Sequence, residues 1–108
     1  FNVNSLAQSA ATAALDDIDF LEKTLALVHN GLSYIYITLD KMGIPYLPSQ
    51  ANFLMIRVGD ADRVFKNLLQ EGVIVRSMTS YGFPDYIRLT IGLETENKRF
   101  IKALEKVL

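Results

Sequence analysis

The sequence contains no cysteine, so disulfides and thiolate metal sites are excluded and the redox compartment goes unmarked. Its one histidine, His29, argues against a histidine-based metal cluster or a Ser-His triad. Excess charge of either sign is also missing: 11 Lys and Arg against 12 Asp and Glu leave a formal net charge of -1. That balance, with the basic residues scattered, removes the electrostatic case for nucleic acid or an acidic membrane surface. No apolar run approaches the roughly 20 residues that span a bilayer. The six glycines stand singly and read as helix or strand ends, with no cluster to cradle a phosphate. Internal repeats and low-complexity tracts are absent. The uncharged opening, FNVNSLAQSAATAAL, lacks the basic n-region of a signal peptide and is broken by Asn2, Asn4, Ser5, Gln8 and Ser9. Because the chain begins at Phe1 and is helical in character from the outset, it reads as a piece cut from something longer.

What remains is ordinary globular material: 108 residues, 50% hydrophobic and 21% charged, enough for one core. Asn4 or Ser5 can cap a first helix, and Ser5 with Gln8 has capping-box spacing. Asp16 and Asp17 offer a second cap. They precede a stripe of Ile18, Leu21, Leu25, Val28, Leu32, Ile35, Leu39 and Met42, whose steps of three and four predict a helix of about seven turns. Gly43 stops it, reinforced by Pro45 and Pro48. A strand is expected over 52–58. Asp60 then caps a helix with Val64, Phe65, Leu68 and Leu69 inward, ended by Gly72. Val73 to Val75 reads as a second strand, Ser77 to Pro84 as a loop and Tyr86 to Ile91 as a third strand. After Gly92 a last helix places Leu93, Phe100, Ile101, Leu104, Val107 and Leu108 largely on one side. This order predicts an α+β fold, a small two-layer sandwich with a long N-terminal helix. Its sheet is read as about three strands, largely antiparallel and covered by helices, with the strands at 53 and 86 as neighbours.

Two arginines stand where strands should bury side chains. Alternation puts Tyr86, Arg88 and Thr90 on one face of the third strand and Ile87, Leu89 and Ile91 on the other, which is core. A guanidinium stays charged and is costly to bury without a partner. Held on a rigid strand, Arg88 can meet a carboxylate or phosphate with two parallel hydrogen bonds. Arg76, twelve residues earlier, can join it if the loop between them is a hairpin-like return. The competing reading is a local acidic partner or a side chain that snorkels to water. Arg57, beside Gly59 and Asp60, reads as solvated or locally paired. His29, one residue past Val28 on the long helix, reads as a boundary residue beside the apolar stripe, and most of the five tyrosines read as packing. Asp16, Asp17 and Asp19 are helix-start residues rather than a metal site.

Four stretches, FNVNSLAQSAATAAL, LPSQANFLMIRV, GVIVRSM and YIRLTIGLETENKRFIKAL, resemble in order and spacing the C-terminal part of the histidinol-phosphate aminotransferases. These are pyridoxal-phosphate enzymes of the fold-type I class. The resemblance covers essentially the whole chain. It implies that residues 1–108 form the small domain, closing over a cofactor held by the protein's own large domain. It also implies a cytoplasmic homodimer that moves an amino group between L-histidinol phosphate and 2-oxoglutarate in histidine biosynthesis. Arg88 matches the family's substrate-anion ligand, and Arg76 is expected to help hold the phosphate. The Schiff-base lysine, the Asp facing the pyridine nitrogen and the cofactor-phosphate ligands are expected upstream. None of Lys23, Lys41, Lys66, Lys98, Lys102 or Lys106 stands in the Schiff-base motif. The resemblance therefore implies no catalytic or cofactor-binding residue on this chain, no pyridoxal phosphate bound to it alone, and no activity in isolation. Other readings within the same fold are a related aminotransferase or a phospho-amino-acid decarboxylase. From another class comes a stand-alone regulatory domain whose arginines hold an effector. Membrane and nucleic-acid partners are not expected.

Overall fold

A computed structural model describes residues 2–108. Asn4 is the first cap: its Oδ1 accepts from the Ala7 N–H at 2.8 Å and starts helix α1, Ser5–Leu15. Gln8 turns its amide back to the Val3 carbonyl, so Ser5 and Gln8 do not form the reciprocal box their spacing permits. Asp17 accepts from the Phe20 N–H at 3.1 Å and opens helix α2, Ile18–Met42, which Gly43 ends in the left-handed conformation. The apolar stripe is real but only half of it is covered. Leu32, Ile35 and Leu39 are buried, whereas Ile18, Leu21 and Leu25 remain exposed. Helix α1 buries none of its residues. Together α1 and the first turns of α2 form an arm, which accounts for extents of 44 × 31 × 24 Å and a radius of gyration of 16.2 Å. A compact chain of this length has a radius of about 13 Å.

The sheet has four antiparallel strands, one more than the sequence predicts: β1 (Tyr46–Leu47), β2 (Phe53–Arg57), β3 (Arg76–Ser77) and β4 (Tyr86–Thr90), in the order β1-β2-β4-β3. The added strand hides in the proline loop. Pro45 and Pro48 flank its two residues, which proline tolerates at a sheet edge. The expected antiparallel pairing of the strands at 53 and 86 is present, from Phe53↔Thr90 to Arg57↔Tyr86. Val73 to Val75 is not a strand. Its first N–H closes helix α3 (Ala61–Gln70) by bonding the Leu68 carbonyl at 2.9 Å, so the β3 ladder begins only at Arg76. The expected loop contains a 3₁₀ turn, Thr79–Tyr81.

Leu54, Ile56, Ile87 and Leu89 turn to one face of the sheet, where α2, α3 and the last helix, α4 (Glu94–Val107), close over them. Each fully buried Leu or Ile there contributes about 1.5–3 kcal/mol. Leu69 was expected inward but lies exposed, as do Leu93 and Leu108 at the two ends of α4. Gly31 departs from its expected place at an element end: it is buried in the middle of α2. A Cβ there would fall on Ile91 Cγ2 and lie 2.9 Å from Asn97 Nδ2. The missing side chain lets α2 approach the end of β4 and the start of α4. Among the described residues no helix is long and apolar enough to cross a membrane.

Candidate functional site

The other face of the sheet carries Phe53, Met55 and Arg57 from β2 and Tyr86, Arg88 and Thr90 from β4, all exposed or half-buried. No helix covers it. Strand alternation places Arg88 at the centre of this face, half-buried, as its sequence position predicts. Arg76 follows from the β3–β4 register, where Arg76 and Arg88 are Cα partners on adjacent antiparallel strands. The two cations therefore share one face. Together with Ile74, Val75 and Thr90 they line a cavity of about 260 Å³.

Among the described residues no carboxylate forms an ion pair with either. The ion pairs among the described residues are Arg57–Asp85 at 2.8 Å, Lys106–Glu71 at 2.7 Å and Lys98–Glu94. A local acidic partner is thus present for Arg57 and absent for Arg76 and Arg88, while the exposure of Arg76 leaves its alternative of reaching water in place. Aromatic rings take the place of acids. The Arg88 guanidinium carbon lies over Phe53, 5.2 Å from the ring centroid, and that of Arg76 over Tyr81 at 5.4 Å. Arg76 also donates from Nη2 to the Tyr81 hydroxyl at 3.0 Å. Like charges directly opposite on a ladder repel, so a site built this way is complementary to an anion.

The turn after β3 is tied to α3. Ser77 Oγ donates to Asp62 Oδ1 at 2.6 Å, Thr79 Oγ1 donates to the same oxygen at 3.1 Å, and the Thr79 N–H donates to Ser77 Oγ. These hydrogen bonds, Ser77's first and Thr79's second, hold the Asp62 carboxyl below the usual carboxylate range. Gly82, at φ 85°, closes the turn.

Phe53, Tyr81 and Asp62 were not singled out from the sequence. Phe53 was legible in part, since strand parity puts it on the arginine face. Tyr81 and Asp62 act through a turn and a helix whose relation to β3 no local pattern encodes. The packing assigned to most tyrosines holds for Tyr36 and Tyr46, whose rings stack 4.8 Å apart. His29 is exposed on α2. A cavity of about 310 Å³ between α2 and α4 is lined largely by apolar atoms, and its two charges, Glu94 and Lys98, satisfy each other.

Relatives of known name agree with this architecture. Over 109 residues the chain is 49% identical to a histidinol-phosphate aminotransferase of Desulfotalea psychrophila, covering 100% of this chain and 29% of that protein. The crystal structure of the histidinol-phosphate aminotransferase from Clostridium acetobutylicum superimposes with a TM-score of 0.88 at 26% identity, over 98% of this chain and 34% of that one. The Sinorhizobium meliloti enzyme of the same name, solved with pyridoxal-5'-phosphate, matches with a TM-score of 0.80 at 26% identity, over 91% of this chain and 28% of that one. The chain spans 29–30% of the length of the curated relatives it matches. The family model of the class I and II aminotransferases matches residues 1–104, and with that match this chain belongs to the class I and II aminotransferase family.

Proposed function

We propose that residues 1–108 are the C-terminal small domain of a pyridoxal-phosphate enzyme that transfers an amino group between L-histidinol phosphate and 2-oxoglutarate. In this reading Arg88 and Arg76 clamp the substrate's anionic end, the phosphate in one half-reaction and a carboxylate in the other. The observation that carries it is the Arg76↔Arg88 register on an uncovered sheet face, with no acid paired to either. The names of relatives 44–49% identical support the choice of substrate. A phosphate ester is also the better match to two guanidiniums with in-plane donors.

Pyridoxal phosphate supplies the electron sink for such chemistry when bound. The residues lining the arginine cavity include no lysine and no acid, so they fit the substrate's anion rather than the cofactor. This chain's part is to bind and orient the substrate. The exposed arm of α1 and α2, with Leu6, Leu15, Phe20 and Leu21 uncovered, is the face that the protein's own large domain covers. Assembly as a homodimer and residence in the cytoplasm belong to the same reading.

The test is Arg88→Ala in the intact enzyme. A bidentate charge-assisted contact is worth roughly 1.5–3 kcal/mol, so kcat/KM for histidinol phosphate is expected to fall tenfold to a few hundredfold. Cofactor binding, followed by its absorbance, is expected to stay intact. Unchanged kinetics in this variant would remove Arg88 from the clamp.

A further inference from the structure

We infer that Phe53 and Tyr81 are positioning residues for the anion clamp, aromatic rests that hold its two guanidiniums apart and ready before an anion arrives; the inference rests on the clamp reading above. The sheet order sets the geometry. Phe53 lies on β2, on one side of β4, while Tyr81 lies in the turn that follows β3, on the other. Arg88 leans over Phe53 and Arg76 over Tyr81, so each of two like charges opposite each other in register has a ring of its own.

A guanidinium held against a ring still has N–H donors to offer an anion. Only one Arg76 donor is spent, on the Tyr81 hydroxyl. An arriving phosphate or carboxylate thus meets oriented donors instead of two freely rotating side chains. Packing within this chain does not explain these rings, since Phe53 is 38% exposed and Tyr81 54% exposed. The Tyr81 platform is also built to stay in place: the Asp62 carboxylate gathers the Ser77 and Thr79 hydroxyls, and Gly82 closes the turn.

The experiment is calorimetric titration of the intact enzyme with inorganic phosphate, comparing wild type with Phe53→Leu, Phe53→Trp, Tyr81→Leu and Arg88→Ala. Leucine keeps an apolar contact but has no π face, whereas tryptophan keeps the face. Exposed cation–π contacts set the scale, so Phe53→Leu and Tyr81→Leu are each expected to weaken phosphate about threefold to fivefold, with unchanged melting temperature. Phe53→Trp is expected to bind at least as well as wild type. Wild-type phosphate affinity in both leucine variants, or a loss at Phe53 that tryptophan does not restore, overturns the inference while Arg88→Ala still abolishes binding. Normal phosphate binding by Arg88→Ala instead brings down the clamp reading itself. Should Phe53→Leu fail to fold, Tyr81→Leu, on an exposed turn, decides the matter alone.

Discussion

Arg76 and Arg88 stand opposite each other across the β3–β4 ladder, two guanidiniums on one open face with no carboxylate paired to either. Such a pair is a cost to the empty fold and a benefit to the liganded one. Like charges directly opposite on a ladder are destabilising, and the contacts of Arg76 with Tyr81 act in the other direction. Arg76→Gln removes the repulsion and the Tyr81 contacts together, so ligand-free stability is expected to move by no more than about 1 kcal/mol while inorganic phosphate binds more weakly. Urea unfolding with and without phosphate reads both effects. Phosphate that protects Arg76→Gln as strongly as wild type would remove Arg76 from the anion site.

Arg57 supplies an internal control, because it shares the face and the charge but not the circumstance. Its Nε donates to Asp85 at 2.8 Å, an exposed surface pair. Such pairs are worth roughly 0–1 kcal/mol. Arg57→Ala is expected to leave the kinetics of the intact enzyme within about twofold of wild type, on the scale of a surface substitution. Substrate use as damaged as in Arg88→Ala would mean that the whole cationic face, and not the opposed pair, binds the anion.

Gly31 tests how closely the helical layer approaches the strand that carries Arg88. A methyl group there would fall on Ile91 Cγ2 and crowd Asn97, whose amide bonds both polar backbone groups of Gly92 at 3.0 and 3.1 Å. Gly31→Ala gains helix propensity of about 1 kcal/mol. Overpacking of this kind costs typically about 1–3 kcal/mol, so the net expectation is lower stability despite the better helix former. Chemical denaturation gives the sign, and a stabilised variant would show that α2 can yield at no cost.

These sites differ in how far the chain alone reveals them. Arg88 was readable because alternation along one strand is local: apolar Ile87 and Leu89 on one side dictate a polar partner face. The long helix and its caps were readable for the same reason. Register across strands is not local. Nothing in VIVRSM states that the ladder starts at Arg76 and not at Val73, since that depends on how α3 ends. The strand in GIPYLP was concealed by prolines that usually mark loops, although an edge strand accommodates them. Gly31 reads as punctuation because its reason lies in Ile91 and Asn97, 60 and 66 residues away in sequence. Strand parity places Phe53 on the arginine face, but its pairing with Arg88, like the place of Tyr81, depends on the sheet order.

The Asp62 carboxyl is expected to make the β3 turn pH-sensitive. Hydrogen bonds from Ser77, then Thr79, favour its charged form in the folded state and lower its pKa. A depressed pKa adds stability that is present above the ordinary carboxylate range and is lost as pH falls through the folded-state value. The stability gap between wild type and Asp62→Asn should therefore be open at neutral pH and narrow on acidification below the ordinary range. Paired denaturation curves at neutral pH and under acid measure it. A gap independent of pH would mean that the carboxylate's charge does not hold the turn.

The exposed arm carries the last prediction. Leu6 and Leu15 are 83% and 80% exposed and Phe20 is 68% exposed, with Ile18, Leu21 and Leu25 alongside on the uncovered half of the α2 stripe. Contiguous apolar surface of this kind marks an interface. In the intact enzyme the large domain occupies it under the reading proposed above. Prepared without that domain, the 108-residue chain is expected to bury the same stripe against further copies of itself. Light scattering should then give a mass above 12.1 kDa that rises with concentration. Phe20→Glu or Leu21→Glu should return it toward monomer, because a carboxylate cannot be buried there without a partner. A monodisperse monomer at high concentration would show that the stripe tolerates water, and would take away its support as the face on which the large domain sits.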